Sequence, residues 1–284
     1  MKFNMKKISA LPVLILIAAI LFVLILILDK PVQEPVAEAT DPVQTEEATQ
    51  PTEADPYAYA HTPLDRLVVY ARLNGRSLDE WPDYMLELLE RNPDTEEYVR
   101  NYPEMKGQLL DIDLSDQVGT GEVPTLYQWD PRWGYSLYGK KEMGLTACGP
   151  TCLSMMCLYF LEDAKYTPRY IADWAKEKGY YIDGSGTIMA IMSKGAKELG
   201  LNVESLSPNK STMLKRLKEG NLIVCSMGPG IFTTGGHYIL LVGEKDGKVI
   251  IHDPNSPTNT AKLWDIDDFR DQIKNLWLYK PVKK

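Results

Sequence analysis

The chain has 284 residues, with 31 lysines and arginines against 39 aspartates and glutamates and a formal net charge of −8. With no basic stripe in its folded part, that balance argues against nucleic acid as a partner. The length allows one or two domains once non-globular parts are set aside, and the cysteines, Cys148, Cys152, Cys157 and Cys225, are too few and too crowded for a disulfide scaffold and read as free thiols.

The first element is residues 8–28, ISALPVLILIAAILFVLILIL, which carry no charge. At about 1.5 Å per residue such a helix crosses the roughly 30 Å hydrocarbon layer of a bilayer. Lys2, Lys6 and Lys7 precede it and an acidic stretch follows, so residues 1–7 are expected in the cytosol and the rest outside the cell membrane. A cleaved signal peptide has an apolar region of about 7–15 residues ending near a small-x-small site. The nearest such site, Ala37-Glu38-Ala39, lies well beyond the apolar end, so an uncleaved single-pass anchor is expected. Residues 29–56 are rich in Pro, Glu, Thr and Ala. They lack the large apolar side chains that offset chain entropy, and read as an extended, disordered tether.

Residues 57–118 read as a helical lead-in. Leu64, Leu67, Val68 and Ala71 recur at helical spacing and Gly75 marks the stop. WPDYMLELLERNPDTEEYVRNYP supplies two more short helices, parted at Asn92-Pro93, with Pro82 in a first turn. Trp81, Tyr84, Tyr98 and Tyr102 are expected to pack this element onto the main domain as a brace without chemistry of its own.

Residues 119–284 form the main domain. Its helices are expected at 150–161 and near 168–178, 187–199 and 211–219. NLIVCSM, HYILLVGE, KVIIHDP and NLWLYK are short β-rich runs. Helices first and strands later indicate an α+β domain with an antiparallel sheet.

Cys148 stands before Gly149-Pro150 in LTACGPTCLSMMCLYF. Proline has no N–H and suits a first helical turn, so Cys148 falls at the helix N-terminus. There the helix dipole and free amides favour a thiolate. The helix behind it is apolar all round and therefore buried, a rigid base for a nucleophile. A thiolate nucleophile needs a base. His61 sits at the edge of the tether. In GGHYILLVGEKDGKVIIHDPN, a three-residue loop Lys245-Asp246-Gly247 would pair Glu244 with Lys248 and set Asp253 opposite Ile239. His237 is then a diagonal neighbour of Asp253, while His252 points to the other face. Asp253 would fix the imidazole's tautomer and stabilise its charged form. Gln128, in LYQWDPRWG, is a candidate oxyanion donor together with the Cys148 amide. Trp129 and Trp133 are expected beneath the cleft. GPGIFTTGGH, residues 228–237, reads as a mobile cleft wall or a plain connector, and DGSGT, residues 183–187, as the cap of the next helix or a stretch beside the substrate backbone.

The ordered set YQWDPRWG, ACGPTCLSMM, GGHYILLVG and IIHDPNS resembles the papain-like cysteine peptidases of the double-glycine, bacteriocin-leader-processing type, and more closely their stand-alone, membrane-anchored branch. The likeness covers about residues 123–281. It implies a papain-like fold and peptide-bond hydrolysis at the cell surface, on a peptide or protein substrate, with no cofactor and no metal. It assigns Cys148 as nucleophile, His237 as general base and acid, Asp253 as the orienting carboxylate and Gln128 as the oxyanion-hole glutamine. Thiol-dependent acyl transfer, or a peptide-binding module without turnover, are the alternatives.

Overall fold

The computed structural model describes residues 55–281. The expected cytosolic residues, apolar anchor and nearly all of the tether lie outside them, and among the described residues no helix is long and apolar enough to cross a membrane.

The lead-in folds as helices α1 (Pro63–Leu73), α2 (Asp83–Arg91), α3 (Glu96–Arg100) and α4 (Tyr102–Met105). Thr62 and Asp65 form a reciprocal capping box at α1, with Pro63 in its first turn. Between α2 and α3 runs the Asn92-Pro93-Asp94 turn, where the Asn92 side chain accepts from the Asp94 N–H. The aromatics do pack the lead-in onto the main domain. Tyr98 stacks on Tyr135 at 4.6 Å between ring centroids, and each hydroxyl donates to a backbone carbonyl across the junction. Burying rings of this size contributes on the order of 2–3 kcal/mol each.

The main domain opens with a hairpin, β1 (Leu137–Tyr138) and β2 (Lys141–Glu142), then α5 (Met143–Thr146) and α6 (Cys148–Leu161). From Gly149 to Leu158 every residue of α6 is buried, as an all-round apolar helix requires. Helix α7 (Pro168–Glu177) packs against it. Residues 187–199 do not form one helix. Strands β3 (Tyr181–Ile182) and β4 (Gly186–Thr187) make a second small hairpin, followed by a 3-10 turn at Met189–Met192 and α8 (Lys194–Glu198). DGSGT is therefore a hairpin turn rather than a helix cap, with Gly184 and Gly186 both at positive φ.

Six antiparallel strands make the main sheet: β5 (Asn202–Ser205), β6 (Leu222–Met227), β7 (His237–Lys245), β8 (Lys248–His252), β9 (Leu263–Trp264) and β10 (Ile273–Lys280). Their order is β5-β10-β6-β7-β8-β9. One face, with Leu222, Val224, Tyr238 and Leu240, shares a core with α6. The other, with Ile223, Cys225, Ile239 and Ile251, is covered by Met213 and Leu217 of α9 (Lys210–Lys218) and by Ile266 and Phe269. Covered on both faces, β6 is buried throughout, which explains the unbroken apolar run LIVCSM. Helix α10 (Pro257–Thr260) follows β8. The expected mixed helix and antiparallel-sheet class is what the chain forms.

The β7–β8 turn departs from expectation. The loop is two residues long, Asp246-Gly247, both at positive φ, and Lys245 rather than Glu244 faces Lys248. Such a turn matches the right-handed strand twist. A bulge at Val242 then takes up one residue between Leu241 and Gly243, so Leu240 lies opposite His252. The two departures cancel, and the register expected at the far end of the hairpin is restored.

Candidate active site

Cys148 is the first residue of α6, with Ala147 as the N-cap. Its backbone amide belongs to the first turn, where helical N–H groups have no intrahelical acceptor. Gly149 keeps this end close to β4: a Cβ there would meet Thr187 Cγ2 at 2.9 Å. Thr187 is itself held by the Tyr138 hydroxyl at 3.0 Å. All four cysteines are free, and Cys148 alone is not buried. Burial pushes the thiols of Cys152, Cys157 and Cys225 up, which keeps them neutral.

His237 opens β7 directly after Gly235-Gly236, opposite Met227 on β6. It is 7% exposed, and Asp253 is 1% exposed. His237 Nε2 lies 2.7 Å from Asp253 Oδ1. That bond uses Nε2, and Cys148 lines the same two cavities as the ring. Burial alone would push the imidazole down; the Asp253 charge, its hydrogen bond and Cys148 outweigh this and raise it to about 10. Burial likewise raises the Asp253 carboxyl, but the His237 charge and three hydrogen-bond donors hold it below the ordinary carboxylate range.

Two of those donors were not evident from sequence: Asn259 Nδ2 gives a 2.8 Å bond to Asp253 Oδ2, and the Asn255 N–H a 2.9 Å bond to Oδ1. The Asp253 N–H in turn donates to Thr260 Oγ1 at 3.0 Å. SPTNT, residues 256–260, carried a capping signal for α10 but nothing that pointed back to the aspartate. His252 faces away, toward the Pro124 carbonyl at 3.2 Å, and His61 is exposed on the lead-in.

Gln128 is anchored by its backbone N–H, which donates to the Pro254 carbonyl at 2.7 Å. Its Nε2 donates to the Gly144 carbonyl at 2.7 Å, which leaves one amide hydrogen uncommitted, and its Oε1 is buried with no partner among the described residues. Trp133 is fully buried, while the Trp129 indole donates to the Asn255 carbonyl at 3.1 Å.

Cys148 and His237 sit where two cavities meet. One, of about 920 Å³, is walled by Tyr181, residues 183–189 and Tyr238, so DGSGT lines the cleft. The other, of about 450 Å³, is walled by Gln128, Asn255 and the loop 230–236. That loop is pinned rather than free: Gln272 Oε1 accepts the Ile231 N–H at 2.8 Å, and Phe232 is buried against Trp264 and Phe269. Leu88, Arg91 and Asn92 complete this second cavity, so the lead-in is a wall of the cleft and more than the brace expected from sequence. A thiol that is not buried, an imidazole hydrogen-bonded to a carboxylate, and two amide groups on an open cleft are the groups that attack on a carbonyl requires.

The family model described as "Peptidase_C39 like family" matches residues 120–281. Among solved structures, the chain is similar to the peptidase domain of Streptococcus ComA, a bifunctional ABC transporter involved in a quorum-sensing pathway, with 19% identity over 49% of this chain and 93% of that one and a TM-score of 0.39. It is also similar to a Bacillus anthracis chain described as a C39-like peptidase, with 15% identity over 61% of this chain and all of that one and a TM-score of 0.37. No curated protein matches.

Proposed function

Because the chain belongs to the C39-like peptidase family, we propose that it is a cysteine peptidase of the cell surface, with Cys148 as nucleophile, His237 as base and acid, Asp253 as its orienting carboxylate and Gln128 as an oxyanion donor. The observation that carries the reading is the 2.7 Å bond from His237 Nε2 to Asp253 Oδ1 beside the one cysteine that is not buried.

In this mechanism the Cys148 thiolate attacks the carbonyl carbon of a peptide bond. The developing oxyanion is held by the free amide hydrogen of Gln128 and the Cys148 backbone N–H. His237, protonated because Asp253 stabilises its charge, gives its proton to the leaving amine, and a thioester remains on Cys148. The neutral imidazole then takes a proton from water. The hydroxide equivalent attacks the thioester, the acid product leaves, and the thiolate and imidazolium are restored. The apolar run 8–28 would hold this chemistry at the outer membrane face, with residues 29–56 as the spacer.

The test compares peptides released into the medium by cells making the wild-type chain with those from cells making Cys148→Ala, by mass spectrometry. Released peptides should appear only with the wild type. Equal release by cells making the variant would reject the assignment.

A further inference from the structure

The smaller cavity beside Cys148 has one permanently charged side chain among its lining residues, Arg91, and the only other titratable groups on its wall are Cys148 and His237 themselves. We propose that this cavity holds a carboxylate of the substrate and that Arg91 selects it, an inference that rests on the cleft being a peptide cleft.

Arg91 occupies the last turn of α2, and its Nε donates to the Glu87 carbonyl at 3.1 Å, which fixes the guanidinium on a rigid element. Arg66, Arg76, Arg132, Arg216 and Arg270 are each spent on a carboxylate within the chain, and Arg72, Arg100 and Arg169, which are not, line no part of this cavity. Arg91 has no such partner among the described residues. The nearest acid in sequence on its C-terminal side, Asp94, is held by the Ser256 and Thr258 hydroxyls at 2.7 and 2.8 Å. Glu87 and Glu90 are exposed and line no part of the cavity. The two free terminal nitrogens of Arg91 therefore present a fork whose geometry matches a carboxylate.

The other side of the cleft is different. There Lys140 and Asp183 pair at 2.9 Å, and Lys141, 5.1 Å from the centre of the Tyr84 ring, is the one cation left without a carboxylate partner among the described residues of that wall. What sets Arg91 apart is geometry: it offers a carboxylate a planar two-donor fork on a helix, whereas Lys141 offers a point charge on a flexible stem. The carboxylate can come from a glutamate or aspartate side chain or from the substrate's own C-terminus, and the experiment separates them.

Wild-type and Arg91→Ala full-length chains are given a tryptic peptide library, with Cys148→Ala as the blank, and cleavage sites are read by mass spectrometry. A side-chain source gives acidic residues at one fixed position on one side of the cut. A C-terminal source gives cuts at a fixed distance from the end, lost on amidation. Either preference should fall about tenfold, relative to all sites, in Arg91→Ala, the loss expected for one charge-assisted pair. A library that the wild type cleaves with neither preference, or the same preference in Arg91→Ala and Arg91→Gln, overturns the inference.

A second arm needs no turnover. The Cys148→Ala chain is titrated by fluorescence anisotropy with hexapeptide pools that differ only in glutamate against glutamine at one scanned position, or in free against amidated C-termini. Preference for the acid that is lost in Cys148→Ala with Arg91→Ala supports the carboxylate site even if the wild type cleaves nothing, in which case only the peptidase reading fails. Absence of any preference overturns the site whatever the fate of the peptidase reading.

Discussion

Asp253 is the residue on which the rest of the candidate site turns, because it decides the charge of a buried histidine. With it, attraction outweighs burial, and His237 keeps its proton up to about pH 10. The pair therefore stabilises the fold fully below the ordinary histidine value of 6.5, and that contribution is lost as pH rises toward about 10. In Asp253→Asn the carboxylate charge is gone while burial and Cys148 remain, so the His237 ring should titrate well below about 10, a fall of more than about one pH unit. An NMR titration of the ring is tractable with three histidines in the chain. An unchanged His237 titration in the variant would show that Asp253 does not set the charge. Cys148, His237 and Asp253 stand out as candidates in the sequence because each sits in a local pattern, a helix start, a strand end and a turn, whereas Gln128 gains its candidacy from the resemblance of the whole set. Asn259 does not stand out, because its bond to Asp253 is made by a helical turn that is ordinary in sequence.

Among the elements, the β7–β8 hairpin and the turn at Asn92-Pro93-Asp94 carry the lesson. The hairpin's far register was legible and its turn was not, since a bulge at Val242 leaves no mark in a run of apolar residues. The short strands β1 to β4 and the edge strands β5 and β9 are not legible for a related reason: two to four residues are too few for a period-two pattern to show. The lead-in turn was visible as a break between helices, but its long-range bonds were not. Asp94 accepts from Ser256 Oγ, Thr258 Oγ1 and the Thr258 N–H. Those residues begin α10, whose Asn259 holds Asp253, so the lead-in steadies the carboxylate through one helical turn. Asp94→Ala should lower kcat at least about fivefold with KM changed less, the split expected when orientation rather than binding is lost. Steady-state kinetics on any peptide found by the library screen measures it. A change confined to KM would assign Asp94 to binding instead.

For the whole molecule, the lead-in and the sheet domain belong to one compact unit, joined by a connector whose residues 106–109 are exposed. The contacts that hold them, the Tyr98–Tyr135 stack, the Tyr84 and Tyr102 hydroxyls on Glu142, and Asn92 on the Asn255 carbonyl, do not depend on that connector. Leu89→Ala, in the lead-in's own core, should cost about 2–5 kcal/mol and loosen that layer, read as an earlier thermal transition. A melting curve superimposable on wild type would mean that the layer contributes nothing to the unit's stability. The same junction has a consequence for processing. A protease that nicks Lys106–Leu109 would leave a two-chain form, two bands on a denaturing gel and one particle in solution, with both halves of the cleft still in register.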